Sequence, residues 1–267
     1  MMDQPSISIS SFIKPEFRLD SLTRRHILLA LRYSSGIGDA PAGDMLIAGI
    51  SKSAWHAVGE RIGSLFARTY KTFSETGQVK LASRDWRAEP IVELNLLSDP
   101  RDLERLMDAF RRLGAMQLSL ALRQATSDPF PTNYTERVRS SGVVNTKNKL
   151  ITEVIANLLD GPAWLRRLLI QRVLGRGYVL GELMRDREAL EDYIRKTATG
   201  VRHASCTCRM GSEDDPMAVT DIQGRVHGVG GLRVIDASLF PVVPRADTNF
   251  PTLMTAEKIA DAILAAA

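Results

Sequence analysis

The stretch His203-Ala204-Ser205-Cys206-Thr207-Cys208-Arg209-Met210-Gly211 is where the reading of this chain turns. Behind it come Ala218-Val219-Thr220-Asp221, Arg225-Val226-His227-Gly228-Val229, Gly231-Leu232-Arg233-Val234-Ile235-Asp236-Ala237-Ser238 and Thr248-Asn249-Phe250-Pro251-Thr252. Taken as residues alone, Leu232 to Asp236 reads as a short buried strand ending in a carboxylate. The small Ala237 and Ser238 after it suit close approach of backbone to a phosphate-bearing ligand, although Asp236 could equally cap a turn. Leu253, Ala256, Ile259, Ala260 and Ile263 form one face of a closing helix with Thr252 as its N-cap, and a helix N-terminus favours an anion or a polarised carbonyl. Asn249 stands just before that start. A histidine and an amide there suit the roles of proton acceptor and hydrogen-bond donor for an oxygen-bearing substrate. Spacing alone does not separate His203 from His26, His56 or His227, and a structural or surface histidine is the commoner case. His203, Cys206 and Cys208 put three candidate ligands into six residues without a distant fourth, poor for tetrahedral zinc, so no metal is expected and both thiols read as small buried residues.

The order of these blocks resembles the C-terminal portion of the glucose–methanol–choline (GMC) oxidoreductases, flavoenzymes that oxidise alcohols. Their pattern is a histidine followed by Pro-x-Gly-Thr-Cys-x-Met-Gly, then Ala-Val-Val-Asp, Arg-Val-x-Gly-Val, Gly-Leu-Arg-Val-x-Asp-Ala-Ser and Asn-Thr-Asn-x-Pro-Thr before a helix. The resemblance implies FAD as cofactor, a small-molecule alcohol as substrate, and hydride transfer to flavin N5. It implies that His203 takes the alcohol proton and that Asn249 holds the substrate oxygen. It places Asp236 and Ala237 against the FAD diphosphate and ribityl region, and Phe250, Pro251 and Thr252 near the pyrimidine end of the ring. Three departures stand out: Ala204 and Cys206 replace the family's Pro and Gly, and Arg202 replaces the usual aromatic before the histidine. A guanidinium at 202 would lower the pKa of His203 by like-charge repulsion. The first asparagine of Asn-Thr-Asn is Asp247.

Working upstream, Arg187 to Lys196 reads as a helix. Trp164 to Leu174 combines apolar residues with Arg166, Arg167 and Arg172; a membrane-surface helix is one reading, a partly buried helix with solvated arginines the preferred one. Asn133-Tyr134-Thr135 spells a glycosylation sequon, read as chance, and Asp128 to Thr132, with Pro129 and Pro131, reads as a break. The clearest helix starts at the N-cap Asp99, with Pro100 at its first position; Leu103, Leu106, Met107, Phe110 and Leu113 line one face, while Arg101, Arg105, Arg111 and Arg112 are expected to face solvent. Gln78–Leu81 and Pro90–Leu97 suggest an antiparallel pair. Trp55–Phe73 has helix-like spacing at Ile62, Leu65, Phe66 and Tyr70, Met45–Ile50 is a candidate strand, and His26–Tyr33 a short buried one. Ser34 to Pro41 reads as a turn. Arg32-Tyr33-Ser34-Ser35, Gly77-Gln78-Val79-Lys80-Leu81 and Asn95-Leu96-Leu97-Ser98-Asp99-Pro100 are similar to segments of the family's substrate domain.

The chain has 267 residues, 44% hydrophobic and 25% charged, which excludes disordered and fibrous classes and allows one or two domains. A net charge of +4 is too small and too dispersed to mark a nucleic-acid partner. With no exported leader read, no transmembrane segment and only two cysteines, a soluble cytoplasmic protein is expected. Family members open with a strand, a G-x-G-x-x-G loop and a helix that bind the ADP part of FAD. This sequence has no such loop, since no glycine stands three residues after Gly38. The expected fold is therefore α+β: an antiparallel-sheet substrate domain with helices over 1–198, then over 199–267 the C-terminal strand and helix of an FAD-binding domain whose N-terminal dinucleotide fold is missing. An alcohol dehydrogenase or oxidase site needing a separate chain that carries the dinucleotide half is the expectation. A non-catalytic fragment, or a binding module that keeps only the scaffold, is the alternative.

Overall fold

The computed structural model of the chain describes residues 1–20, 23, 26–132, 140, 142–175 and 177–265. Its first strand, β1 (Pro5–Ile13), is followed by β2 (Ile27–Tyr33), β3 (Met45–Ile50), α1 (Ala57–Arg61) and β4 (Ile62–Thr69). A short hairpin of β5 (Gln78–Lys80) and β6 (Ile91–Glu93) precedes α2 (Pro100–Gln117), α3 (Leu120–Ala125) and β7 (Thr126–Pro131). Then come α4 (Thr146–Leu159), α5 (Ala163–Leu169) running into a π-type turn over Ile170–Leu174, α6 (Leu180–Leu183), α7 (Arg187–Thr197), β8 (Thr199–Gly200) and, after a long irregular stretch, α8 (Asn249–Leu264).

The main sheet is antiparallel, in the order β2-β3-β4-β1-β7, with β8 pairing the start of β1. Alternation in β1 explains its central place. Ile7 and Ile9 point to one face and join Met45, Ile47, Leu65 and Ala67 beneath Leu103, Leu106, Met107, Phe110 and Leu113 of α2. Ser6, Ser8 and Ser10 point to the other face and are buried as well, each hydroxyl needing a partner; Ser10 Oγ finds Ser64 Oγ at 2.6 Å and Thr132 Oγ1 at 2.7 Å. Burial of each large apolar side chain here contributes about 1.5–3 kcal/mol.

Helix α2 starts as expected, the Asp99 carboxylate accepting from the Arg101 N–H at 2.9 Å. Arg105, however, does not face solvent. It is fully buried, donates to Asp44 at 3.1 Å and to the Lys71 carbonyl at 2.7 Å, and pairs with Asp102 one turn back. Two buried carboxylates from α2 and from the loop before β3 make that burial tolerable.

Other expectations are corrected by pairing across the sheet. Trp55–Phe73 is not one helix: only Ala57–Arg61 is helical, and Ile62–Thr69 becomes β4 because both neighbours hydrogen-bond it and Leu65 and Ala67 alternate with Ser64, Phe66 and Arg68. His26–Tyr33 holds a strand, but an exposed one, since β2 is the sheet's outer edge. The Pro129 and Pro131 segment does not break the chain. It forms β7, an edge strand with a register shift opposite Ser10 and Phe12, where missing N–H groups are tolerated. The arginines of α5 are not simply solvated: Arg166 and Arg167 reach Asp128 at 2.8 and 3.1 Å. The sequon at 133–135 lies outside the described residues. Among the described residues no helix is long and apolar enough to cross a membrane.

Candidate functional site

Strand β8 carries the chain alongside the start of β1, with Gly200 opposite Pro5 and Thr199 opposite Ser6. This seam sets everything that follows. A Cβ on Gly200 would stand 2.2 Å from Asp3 Oδ2, so only glycine lets Asp3 approach. The buried Asp3 carboxylate then accepts the backbone N–H of Arg202 at 3.2 Å and of His203 at 2.9 Å. Those bonds hold Arg202 in the left-handed region at φ 67°, a conformation that costs a non-glycine residue about 1–2 kcal/mol. Two further backbone bonds of 2.9 Å tie Met2 to Ser205.

The His203 imidazole sits at the centre, its side chain 17% exposed. Its Nδ1 lies 2.9 Å from Gln4 Oε1 and 3.1 Å from Arg68 Nη1, and its Nε2 lies 3.7 Å from Asp247 Oδ1. Arg68, buried in β4, also pairs with the Asp247 carboxylate and donates to Gln4 Oε1 at 3.2 Å. Burial, and next the Arg68 guanidinium, push the His203 pKa below the ordinary histidine value; the carboxylates of Asp247 and Asp3 oppose the shift without cancelling it. The like charge that lowers it is thus Arg68 rather than Arg202. The Arg202 side chain is exposed and makes no hydrogen bond or ion pair among the described residues.

Downstream, the backbone of 206–210 is laced to 237–239: Cys206 N–H to Ala237 O at 3.3 Å, Cys208 N–H to Ser238 O at 2.9 Å and Met210 N–H to Leu239 O at 2.8 Å. Cys206 packs with Met2, Phe240 and Val243, and burial pushes its thiol pKa up to about 11. It adopts φ 71°, so the residue that replaces the family's glycine keeps a glycine-like backbone. Leu232–Asp236 is not a strand. Within the described residues its one backbone pairing is the Arg225–Arg233 bridge, no sheet lies beside it, and Leu232 and Ile235 are exposed. Asp236 is exposed and caps the turn at Ala237–Leu239, accepting from Ser238 N–H at 2.8 Å.

Helix α8 begins at Asn249 with Thr248 in the cap position, four residues ahead of the expected cap. Thr252 is instead inside the first turn, its hydroxyl donating to Thr248 O at 2.8 Å, and Pro251 is accommodated there because the first turn needs no internal N–H donor. The structure therefore brings Asp247, not Asn249, against His203. Asn249 follows two residues later, exposed, its side-chain amide without a hydrogen bond among the described residues, and Phe250 beside it is 74% exposed. A ring system bearing carbonyl oxygens would meet free N–H groups and the Asn249 amide at this helix start. Among the described residues no Gly-rich phosphate loop accompanies it. Sequence reading missed Asp3, Gln4 and Arg68. The Ser/Ile alternation directly after Asp3-Gln4, and a lone cation at 68 within an apolar run, were the available signals.

The family model for GMC oxidoreductase matches residues 73–256. The chain is 35% identical over 279 residues to 5-(hydroxymethyl)furfural oxidase of Methylovorus sp. strain MP688, covering 99% of this chain and 42% of that protein. It is 35% identical over 187 residues to oxygen-dependent choline dehydrogenase of Chromohalobacter salexigens, covering 70% of this chain and 25% of that protein. Among solved structures, a formate oxidase from Aspergillus oryzae RIB40 concerned with FAD modification superposes with a TM-score of 0.70 at 15% identity, over 99% of this chain and 46% of that one. Pyridoxine 4-oxidase from Mesorbium loti gives 0.64 at 16% identity, over 97% and 42%. These likenesses establish the fold. The chain spans less than half the length of each of these relatives.

Proposed function

The chain belongs to the GMC oxidoreductase family, and from that premise we propose that it forms the substrate side of an FAD-dependent site that oxidises an alcohol CH–OH group, with His203 as proton acceptor. Residues 1–198 are the substrate domain and 199–267 the C-terminal segment of the FAD-binding domain. The observation that carries the reading is the setting of His203: a mostly buried imidazole with one ring nitrogen anchored at Gln4 and the other turned to the Asp247 side, its pKa lowered by burial and by Arg68. A neutral imidazole with a depressed pKa is suited to take the proton that an alcohol must lose as its carbon is oxidised.

When bound, FAD supplies the acceptor for the hydride that leaves the carbon. The residues present fit the ring end of that group. Asn249 would hold the substrate oxygen, Phe250, Pro251 and Thr252 at the exposed start of α8 would meet the pyrimidine end, and Asp236 and Ala237 would approach the diphosphate and ribityl region. The G-x-G-x-x-G loop that binds the ADP part has no counterpart in this sequence, so a polypeptide segment carrying the dinucleotide fold would complete the site. Exposed apolar residues on α8 and around Leu232 support such a docking half.

Flavin absorbance tests this directly. The chain purified alone should be colourless and, co-expressed with a dinucleotide-binding half, yellow. In that complex His203→Ala should keep flavin and lose about 10²–10⁴-fold in alcohol turnover. Unchanged turnover would remove His203 from the chemistry, and absence of flavin in both preparations would favour a scaffold-only binding module.

A further inference from the structure

We infer that Gln4 is a positioning residue that holds His203 as the Nδ1–H tautomer, so that Nε2 is the open, proton-accepting nitrogen. The inference deepens the proposed function and rests on His203 being the base.

The Gln4 amide is fully buried just ahead of β1. One end of it lies 3.0 Å from Pro244 O, 3.4 Å from Tyr70 O and 3.5 Å from Ala246 O. Backbone carbonyls only accept, so the NH₂ group must face them. A flipped amide would set oxygen against three oxygens and nitrogen against the nitrogens of His203 and Arg68. The carbonyl Oε1 is therefore the end turned to His203, 2.9 Å from Nδ1. At that distance a bare Nδ1 would oppose lone pair to lone pair, whereas Nδ1–H donates a good hydrogen bond. In a neutral ring the proton on Nδ1 leaves Nε2 bare.

Two neighbours could disturb this assignment. Arg68 Nη1 lies 3.1 Å from Nδ1 and could donate into a bare nitrogen, but it also lies 3.2 Å from Gln4 Oε1, whose two lone pairs accept both the guanidinium and the imidazole N–H. Asp247 Oδ1 stands 3.7 Å from Nε2, beyond hydrogen-bond length, and is engaged by Arg68, so it does not call for a proton on Nε2. Arg68, Asp247 and Asp3 are the charged groups that face the ring or its backbone. Gln4 thus fixes which nitrogen is free, and Asp3 next to it fixes the backbone that carries the ring.

The test is a long-range proton–nitrogen correlation on the ¹⁵N-labelled full chain, about two pH units above the ordinary histidine pKa. The signals of His203 are identified among those of the four histidines by their loss in His203→Asn. The expected spectrum has a protonated, pyrrole-type Nδ1 and a bare, pyridine-type Nε2; the reverse pattern overturns the inference. Gln4→Met removes the acceptor at similar volume and should abolish the preference for Nδ1–H, with dispersion of the other three histidines reporting that the fold is kept. A retained Nδ1–H in a folded Gln4→Met protein also overturns the role of Gln4. Should that variant unfold, Gln4→Glu decides: it keeps an acceptor and adds a charge, so Nδ1–H should persist while the His203 pKa moves up, and a pKa unmoved or lowered counts against it. These readouts need no turnover. An alcohol-oxidising complex indifferent to His203→Ala would defeat the proposed function and leave the tautomer assignment standing.

Discussion

The body from β1 to α7 and the stretch from Val201 to Ala265 are held by different forces. In the first, two sheet faces are covered: Ile7, Ile9, Met45, Ile47, Leu65 and Ala67 meet the apolar stripe of α2, and a second cluster around Phe12, Ile62 and Leu159 fills the space beneath α4. In the second, the buried hydrophobics among the described residues are Cys206, Leu239, Phe240, Val243 and Ile259, while Val229, Leu232, Phe250, Leu253, Met254 and Leu264 are exposed. Apart from the small cluster of Cys206, Phe240 and Val243 against Met2, turns, isolated bridges and single backbone bonds hold it. A segment with so little apolar burial cannot fix a side chain by its own packing. His203 is accurate in position because Asp3 and Gln4, at the mouth of the well-packed body, grip its backbone and its ring.

Substitutions can break or sharpen that contrast. Arg105→Ala should be the most damaging, about 3–5 kcal/mol in urea unfolding, because it leaves the buried carboxylates of Asp44 and Asp102 without their cationic partner. Leu106→Ala, at a position with no exposure, should cost about 3 kcal/mol through lost transfer energy and the cavity left behind. Asp99→Ala should cost about 1 kcal/mol, read as a smaller shift of the same transition, because the first turn of α2 loses its cap. Leu253→Ala, at 53% exposure on α8, should change unfolding by no more than about 0.5 kcal/mol in the chain alone. A cost for Leu253→Ala comparable to that of Leu106→Ala would show that the C-terminal segment has a core after all.

The gentlest test is pH. His203 and His56 both have pKa values lowered in the fold, His56 chiefly by burial. The unfolded chain therefore binds protons first as pH falls below the ordinary value of 6.5, so these two sites favour the fold above that value and withdraw support as pH drops through their folded pKa values. Thermal unfolding should move down on acidification across this window. His203→Gln should flatten the dependence, and a steeper one would mean that the folded protein favours the imidazolium.

Much of this could be read in advance, and the exceptions have physical causes. Helix α2 was legible from Asp99 and Pro100 to its stripe because cap, proline and period agreed. The hairpin of β5 and β6 and the strand at Met45–Ile50 were legible for similar reasons. β4 was misread because Ile62, Leu65 and Phe66 fit a helical period, and only the strands on either side of it decide otherwise. β1 is hard to read because its serines look polar, although their alternation with isoleucine is a strand signal for a sheet buried on both faces. In the site, His203 and Asn249 came from the order of motifs, whereas Gln4 and Arg68 could not, because nothing local ties residues 4 and 68 to 203 and 247. Asp247, seen only as a small departure, proved to be the residue of that block that meets the histidine.

The grip of Gln4 on His203 and on the Pro244 carbonyl spans 199 and 240 residues of chain. Contacts so distant in sequence carry the largest loop-closure cost and reward the chain only when nearly all of it is present. During synthesis β1 can pair with β4 and then β7, but the histidine's socket has to wait for the last stretch to be made. Completion of the socket should therefore lag behind formation of the sheet, and an interrupted chain would keep its body while leaving His203 without its Gln4 and Asp3 contacts.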